Sequence, residues 1–135
     1  MIEQGLLIAG ATIFGMLGST HLIYTFFTNK FDAIDPAAAK AIRDTSPVLT
    51  KETTMWDAWI GFNASHSLGA ILVAAFYAPL SIWELSVSRC GFPFFQSQSG
   101  CRILPLAKRY WFKIPFIGIL ISTICFGGAA ISINT

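Results

Sequence analysis

The two histidines of the chain, His21 and His66, are the residues best suited to chemistry, because each lies in a long, uncharged apolar run. A neutral imidazole can bind a metal ion or move a proton. An ionisable side chain inside a membrane span is a functional candidate by default. Asn63 lies in the same run as His66, and unpaired polar groups in hydrocarbon are costly. We therefore expect these side chains to face the interior of a helical bundle.

Helical periodicity sorts the stretch W-I-G-F-N-A-S-H-S-L-G, residues 59–69, into two faces. Trp59, Asn63 and His66 share one face and predict a polar ridge, and Asp57 is a further pocket candidate near the start of this helix. A second face carries small residues four positions apart, which is typical of membrane helices that pack closely. The predicted helix-packing residues are Gly61, Ser65 and Gly69, together with Gly15 and Ser19 in the first apolar run.

The two histidines are expected at similar depths, His21 at ~10 Å and His66 at ~16 Å from the same surface, at ~1.5 Å per helical residue. Three interpretations follow. The histidines belong to a polar network in a structural or accessory subunit; or they are axial ligands of one haem b between two helices; or His66 is the acid/base of an enzyme acting on a lipid-like substrate. No carboxylate lies deep in a clear span to assist the third. Whether the chain is an enzyme stays open.

The composition indicates a membrane protein. Of 135 residues, 54% are hydrophobic and 12% are charged, whereas soluble domains average about 25% charged residues. We predict one integral membrane domain over residues 1–135, with the lipid bilayer as its first partner. Other membrane subunits or further copies of the chain are possible partners as well. The net charge of +2 is too small to indicate nucleic acid, and no metal-ligand spacing is present.

Three apolar runs predict membrane-spanning helices, over residues 5–28, 55–78 and 111–133. The second begins at a capping box, Thr54 to Asp57, and Pro79 is expected to end it. In the first connector, Asp35 and Pro36 predict the start of a short helix on the membrane surface.

Two observations bear on a fourth span over residues 80–107. The distribution of bases among the loops favours it, and the charged residues within the segment argue against it. Glu84, Arg89 and Arg102 are costly at bilayer depth. Four spans, however, place seven of the nine bases in cytoplasmic loops, as the positive-inside rule prefers. We therefore predict an all-α, transmembrane four-helix bundle, with the N-terminus outside and the first connector in the cytoplasm. The alternatives for residues 84–104 are a lumenal or re-entrant segment and a frame-shifted reading. A Cys90–Cys101 disulfide is conceivable outside the cytoplasm, and free thiols are favoured.

Three motifs resemble a family of small bacterial four-helix membrane proteins that has no assigned activity. They are G-x-x-H at Gly18 and His21, M-W-x-A-W-x-G-F-N-x-S-H-S-L-G at residues 55–69, and R-Y-W-F-x-I-P-x-x-G at residues 109–118. The resemblance covers roughly the first 78 residues and the last 30, and it implies the bacterial inner membrane. Residues 84–104 depart from the family, which has an ordinary apolar third helix there.

Overall fold

The computed structural model describes residues 2–83, 92–110 and 113–134, and these residues form five α-helices without any β-strand. The predicted all-α class is confirmed. The helices are α1 (Ile2–Phe27), α2 (Pro36–Asp44), α3 (Met55–Trp83), α4 (Phe92–Tyr110) and α5 (Lys113–Asn134).

Three of the described helices are long and apolar enough to cross a membrane, namely α1, α3 as far as Ile82, and α5 from Lys113 to Ile133. The chain therefore has the character of a helical membrane protein. The count differs from the predicted four, because α4 is not among these helices. Arg102 lies in the middle of α4, and Lys108 and Arg109 lie in its last turn, which lowers its hydropathy.

The predicted end of the second span at Pro79 is wrong, because α3 continues through Pro79 to Trp83. Proline is tolerated in a membrane helix where neighbouring helices hold the chain, and here Tyr77, two residues earlier, packs against Phe126. The described residues within 80–107 therefore belong to two helices, residues 80–83 to α3 and residues 92–107 to α4. Glu84, Arg89 and Cys90 lie outside the described residues, and so does the conceivable Cys90–Cys101 disulfide; Cys101 is exposed on α4.

The chain forms two compact units, of which the first comprises Met1–Leu17 and Ala70–Thr135 and the second Gly18–Gly69. The core of the first unit is centred on Phe126 of α5, which is fully buried. Its ring lies edge-on to Phe14 at 6.2 Å and to Tyr77 at 5.2 Å between ring centroids. One aromatic side chain thus contacts both α1 and α3.

Helix directions in the first unit follow from its contacts. Leu6, Gly10 and Leu17 of α1 lie against Gly128, Phe126 and Gly118 of α5, respectively, so α1 and α5 run antiparallel. Ser97 and Gly100 of α4 lie against Gly127 and Thr123 of α5, so α4 and α5 run antiparallel as well. The Ser122 hydroxyl donates across helices to the Gly10 carbonyl at 3.1 Å.

Most hydroxyl groups of the described helices bond within their own helix. Each donates to a carbonyl oxygen three or four residues earlier, which removes an unpaired donor from an apolar setting. The donors are Thr12, Thr25, Thr28, Ser65, Ser67, Ser81, Ser99 and Thr123. Among the described residues, no buried side-chain nitrogen or oxygen atom lacks a hydrogen-bond partner.

Helix starts in the second unit follow the predicted caps. The Asp35 carboxylate accepts from the Ala37 amide at 3.1 Å and Pro36 takes the first helical position, which confirms the predicted connector helix. At the start of α3 the Asp57 amide donates to the Thr54 hydroxyl at 3.1 Å, and that hydroxyl donates to the Asp57 carboxylate at 2.9 Å. Thr54 therefore caps α3 as predicted, and Asp57 bonds to its hydroxyl in place of the backbone amide that a full capping box uses.

We expect Gly100→Ala to destabilise the protein by about 1–3 kcal/mol, the usual cost of overpacking. A methyl group at this position would collide with Thr123, which is buried and bonded through its hydroxyl to the Ile119 carbonyl. The measurement is the unfolding free energy in detergent micelles. Gly5→Ala is the control, since a methyl group there meets no atom within 4 Å; equal losses in the two variants would contradict the packing described for α4 and α5.

Candidate functional site

A hydrogen bond joins the two polar residues that the sequence places in different spans. His21 Nε2 lies 2.8 Å from Asn63 Oδ1, between α1 and α3. Asn63 is 4% exposed, and the His21 ring is half-buried. An amide oxygen only accepts, so His21 Nε2 carries the proton that it donates. We call His21, Asn63, His66, Phe31 and Trp59 the histidine cluster.

Both ends of the Asn63 amide are engaged. Its Nδ2 donates to the Trp59 carbonyl one turn earlier at 2.8 Å, while its Oδ1 accepts from His21. The backbone carbonyls of the two partners accept as well, that of Asn63 from the Ser67 hydroxyl at 2.7 Å and that of His21 from the Thr25 hydroxyl at 2.8 Å. The orientation of the amide is thus fixed by its neighbours, as expected for a group that sets the register of two helices.

An aromatic residue of the connector covers the cluster. The Phe31 ring lies 4.8 Å from the His21 ring and 6.3 Å from the Trp59 ring between centroids. Sequence reasoning missed this residue, although one signal was available. Phe31 is a large apolar residue between Lys30 and Asp32 in an otherwise polar segment, and such a residue often has a packing partner.

The predicted polar ridge divides in the structure. Asn63 lies in the interior, whereas Trp59 is 43% exposed and His66 is exposed. The His66 ring lies 5.9 Å from the His21 ring, and it is stacked on Phe62 with 6.2 Å between centroids and 11° between planes. His66 therefore joins the cluster from its edge. Asp57 is exposed in the first turn of α3, and it bonds to the capping residue Thr54.

The predicted helix-packing residues occupy two different environments. A side chain at Gly15 would meet the Ala74 Cβ at 3.0 Å, so α1 and α3 approach closely at this position. At Gly61 and Gly69 an added Cβ meets no described atom within 4 Å. Ser65 and Ser19 are exposed. The stripe of Gly61, Ser65 and Gly69 thus lies on the outer surface of the described chain.

The contacts of the second unit also give the direction of its helices. His21 lies against Asn63, whereas Phe27 near the end of α1 lines the same cavity as Trp56 near the start of α3. The contact positions move backward along α3 as they move forward along α1. These two helices are therefore antiparallel.

The geometry limits the chemistry that the cluster can perform. A haem iron bound through His21 Nε2 requires a lone pair on that nitrogen, but this nitrogen donates to Asn63. The residues as placed therefore do not fit an axial pair that uses this atom. Among the described residues, no three His, Cys, Asp or Glu side chains come together as a metal-binding group. What the arrangement does directly is fasten α1 to α3.

Comparison with known proteins adds no assignment: no family model, curated protein or solved structure matches the chain. The fold defines the class, which is a helical membrane protein with three candidate transmembrane helices among its described residues. Membership of the four-helix family that its motifs resemble stays a prediction.

We expect a double-mutant cycle of His21→Ala and Asn63→Ala to give a coupling energy of about 0.6 kcal/mol, and no more than about 1.7 kcal/mol, the range found for hydrogen bonds between membrane helices. The unfolding free energy in micelles is the measurement. The control cycle combines His21→Ala with Ser65→Ala, because the Ser65 hydroxyl bonds to the Phe62 carbonyl of its own helix. Coupling as large in the control cycle would show that the fastening does not reside in the His21–Asn63 bond.

Proposed function

We propose that the chain is an accessory subunit of a bacterial inner-membrane assembly, with no catalytic role of its own. The observation that carries this proposal is the outer face of α3 formed by Phe62, Ser65 and His66. His66 lies eleven residues into α3, ~16 Å along the helix, and it is exposed there. Phe62 and His66 thus place an aromatic and a polar side chain on the outside of a candidate membrane span, where a partner helix can pack.

The neighbouring residues favour a helix as the occupant of this face. Gly61 and Gly69 leave open space beside His66, and small residues let two membrane helices approach closely. Phe62 is 65% exposed and offers an aromatic surface next to the polar one. The face thus offers open space at the glycines, an exposed aromatic ring at Phe62 and a hydrogen-bonding group at His66.

The interior hydrogen bonds support a structural role over the two alternatives. The haem alternative, in its form with His21 Nε2 as the ligand, requires the His21–Asn63 bond to break. The enzyme alternative requires a substrate cavity at His66, and the cavity that lies at the ends of α1 and α3 does not include His66 in its lining. A subunit that packs against other membrane proteins is expected to have hydrogen bonds between its own helices and a polar group on its outer face, as here.

Helix directions support a four-helix bundle in which α4 returns the chain across the membrane. Within the first unit, contacts move from Tyr77 back to Ala74 of α3 as they move from Gly10 forward to Gly15 of α1. In this unit α3 and α5 both run antiparallel to α1, so they point the same way. Two spans in the same direction need a crossing between them. The intervening helix α4 lies along α5 in the opposite direction, with Gly100 and Ala107 buried. Its 19 residues measure ~28 Å, close to the ~30 Å hydrocarbon thickness.

This arrangement also gives an orientation. The return crossing brings Lys108, Arg109 and Lys113 to the side of the first connector, which holds four further bases. The positive-inside rule assigns that side to the cytoplasm, with both termini outside.

Reporter fusions test the crossing by α4. We expect a C-terminal alkaline phosphatase to be active and a C-terminal green fluorescent protein to be dark, since the C-terminus lies outside. The same reporters inserted at Ser46, which is exposed between α2 and α3, should give the reverse pattern. Three crossings would put the connector and the C-terminus on the same side, and matching patterns at both positions would therefore exclude the four-helix arrangement.

Photo-crosslinking in native membranes tests the accessory role. A benzoylphenylalanine at Phe62 should give one discrete adduct with another membrane protein. Phe76 is the matched control, since it is the same residue type on the same helix, 67% exposed compared with 65% for Phe62. At position 76 we expect lipid adducts alone. Lipid adducts alone at position 62 would contradict the proposal that this face binds another protein. A product of twice the chain mass would identify a homo-oligomer in place of an accessory subunit.

A further inference from the structure

A groove of about 520 Å³ opens where α1 ends and α3 begins, in the second unit. Its walls come from the last turn of α1, the first turns of α3 and the connector. Because α1 and α3 are candidate membrane spans, their adjoining ends mark the membrane surface. The groove therefore lies at the level of lipid headgroups, and it is open to its surroundings over most of its extent.

The lining changes from apolar to charged. Phe26, Phe27 and Ile60 come from the two spans, while Asp32 and Arg43 come from the connector. A molecule that suits this lining has hydrocarbon at one end and a charged group at the other. A membrane lipid has this form and is already present at this depth.

The charged part of the groove offers both signs. Arg43 Nη2 donates to Asp32 Oδ1 at 3.2 Å, with the two side chains 44% and 36% exposed. The Arg43 guanidinium also lies 4.5 Å from the centroid of the Trp56 ring, which holds it in place. Guanidinium has five N–H donors in a planar fork that matches phosphate, and this contact uses one of them. The carboxylate likewise has acceptor capacity for an ammonium group.

We propose that this groove binds a phospholipid whose headgroup carries a primary ammonium beside its phosphate. The phosphate accepts from Arg43, the ammonium donates to Asp32, and the first acyl carbons contact Phe26 and Ile60. The backbone amide of Asp32 donates to the Asn29 carbonyl at 3.2 Å, which fixes the turn that presents the carboxylate. This lipid site is separate from the outer face of α3 and does not depend on the accessory role.

The charge of the surrounding segment favours a zwitterionic headgroup over an anionic one. Residues 29–57 contain four bases, Lys30, Lys40, Arg43 and Lys51, and five acids, Asp32, Asp35, Asp44, Glu52 and Asp57, for a net charge of −1. An anionic headgroup without an ammonium group offers no cation to the Asp32 carboxylate. A headgroup with one charge of each sign matches the Arg43–Asp32 pair without adding charge.

Native mass spectrometry of the full chain in a neutral detergent tests the proposal. Phosphatidylethanolamine, phosphatidylcholine and phosphatidylglycerol with the same acyl chains are titrated separately. We expect the ethanolamine lipid to bind at least about fivefold more tightly than the other two, since each charge-assisted hydrogen bond is worth on the order of 1 kcal/mol or more. Equal binding of the choline lipid would overturn the role of the primary ammonium, and equal binding of the glycerol lipid would overturn the zwitterionic site.

Matched variants separate the site from net charge. Arg43→Gln and Asp32→Asn should each lower ethanolamine-lipid binding about fivefold. Lys40→Gln and Glu52→Gln remove the same charges from exposed positions of the same connector and should leave it unchanged. Equal losses in these controls would overturn the proposal. Should Arg43→Gln fail to fold, Arg43→Lys keeps the charge and loses the planar fork; undiminished binding in that variant would overturn the assignment of the phosphate to the guanidinium.

Discussion

Hydrocarbon offers no hydrogen-bond partner, and this constraint governs the polar residues of every spanning helix described here. Many hydroxyl groups meet it by donating to a carbonyl of their own helix. Such a bond does not constrain how the helix lies against its neighbours. The His21–Asn63 bond meets it between two helices. This bond therefore also specifies which face of α1 lies against which face of α3. The same hydrogen bond gives the imidazole a partner and pairs α1 with α3.

The helices of the first unit need a source of attraction other than the hydrophobic effect, because lipid and core side chains are equally apolar. Close packing of side chains provides this attraction. Gly10 admits the Phe126 ring, and Gly100 brings α4 against Thr123. The large ring of Phe126 fills the space among α1, α3 and α5, and small residues around it let the backbones approach. The many short contacts add dispersion energy, which stabilises the packed helices where the hydrophobic effect contributes little.

The features that sequence reasoning predicted are local ones. The apolar runs, the Asp35 cap and the Thr54–Asp57 cap depend on neighbours within one turn, and each is present. Helical periodicity correctly groups Asn63 with His66, but it gives relative angles only. It cannot state which member of a broad face meets the interior, and so it did not separate buried Asn63 from exposed His66. The continuation of α3 past Pro79 goes with a contact far along the chain, between Tyr77 and Phe126. The polar neighbours of Phe31 indicate that this residue packs, but they do not identify His21 as its partner.

The cap at the start of α3 also has a consequence for the depth of the buried groups. Asp57 carries a charge that stays in water, and its hydrogen bonds with Thr54 hold it in the first turn of the helix. His66 follows nine residues later on the same rigid rod, ~14 Å further along the helix axis. A shift of α3 along its axis that moves the carboxylate into hydrocarbon is costly, so the polar first turn limits how far the helix can enter the membrane. The hydrogen bonds between Thr54 and Asp57 thus also limit the depth at which the exposed His66 ring lies.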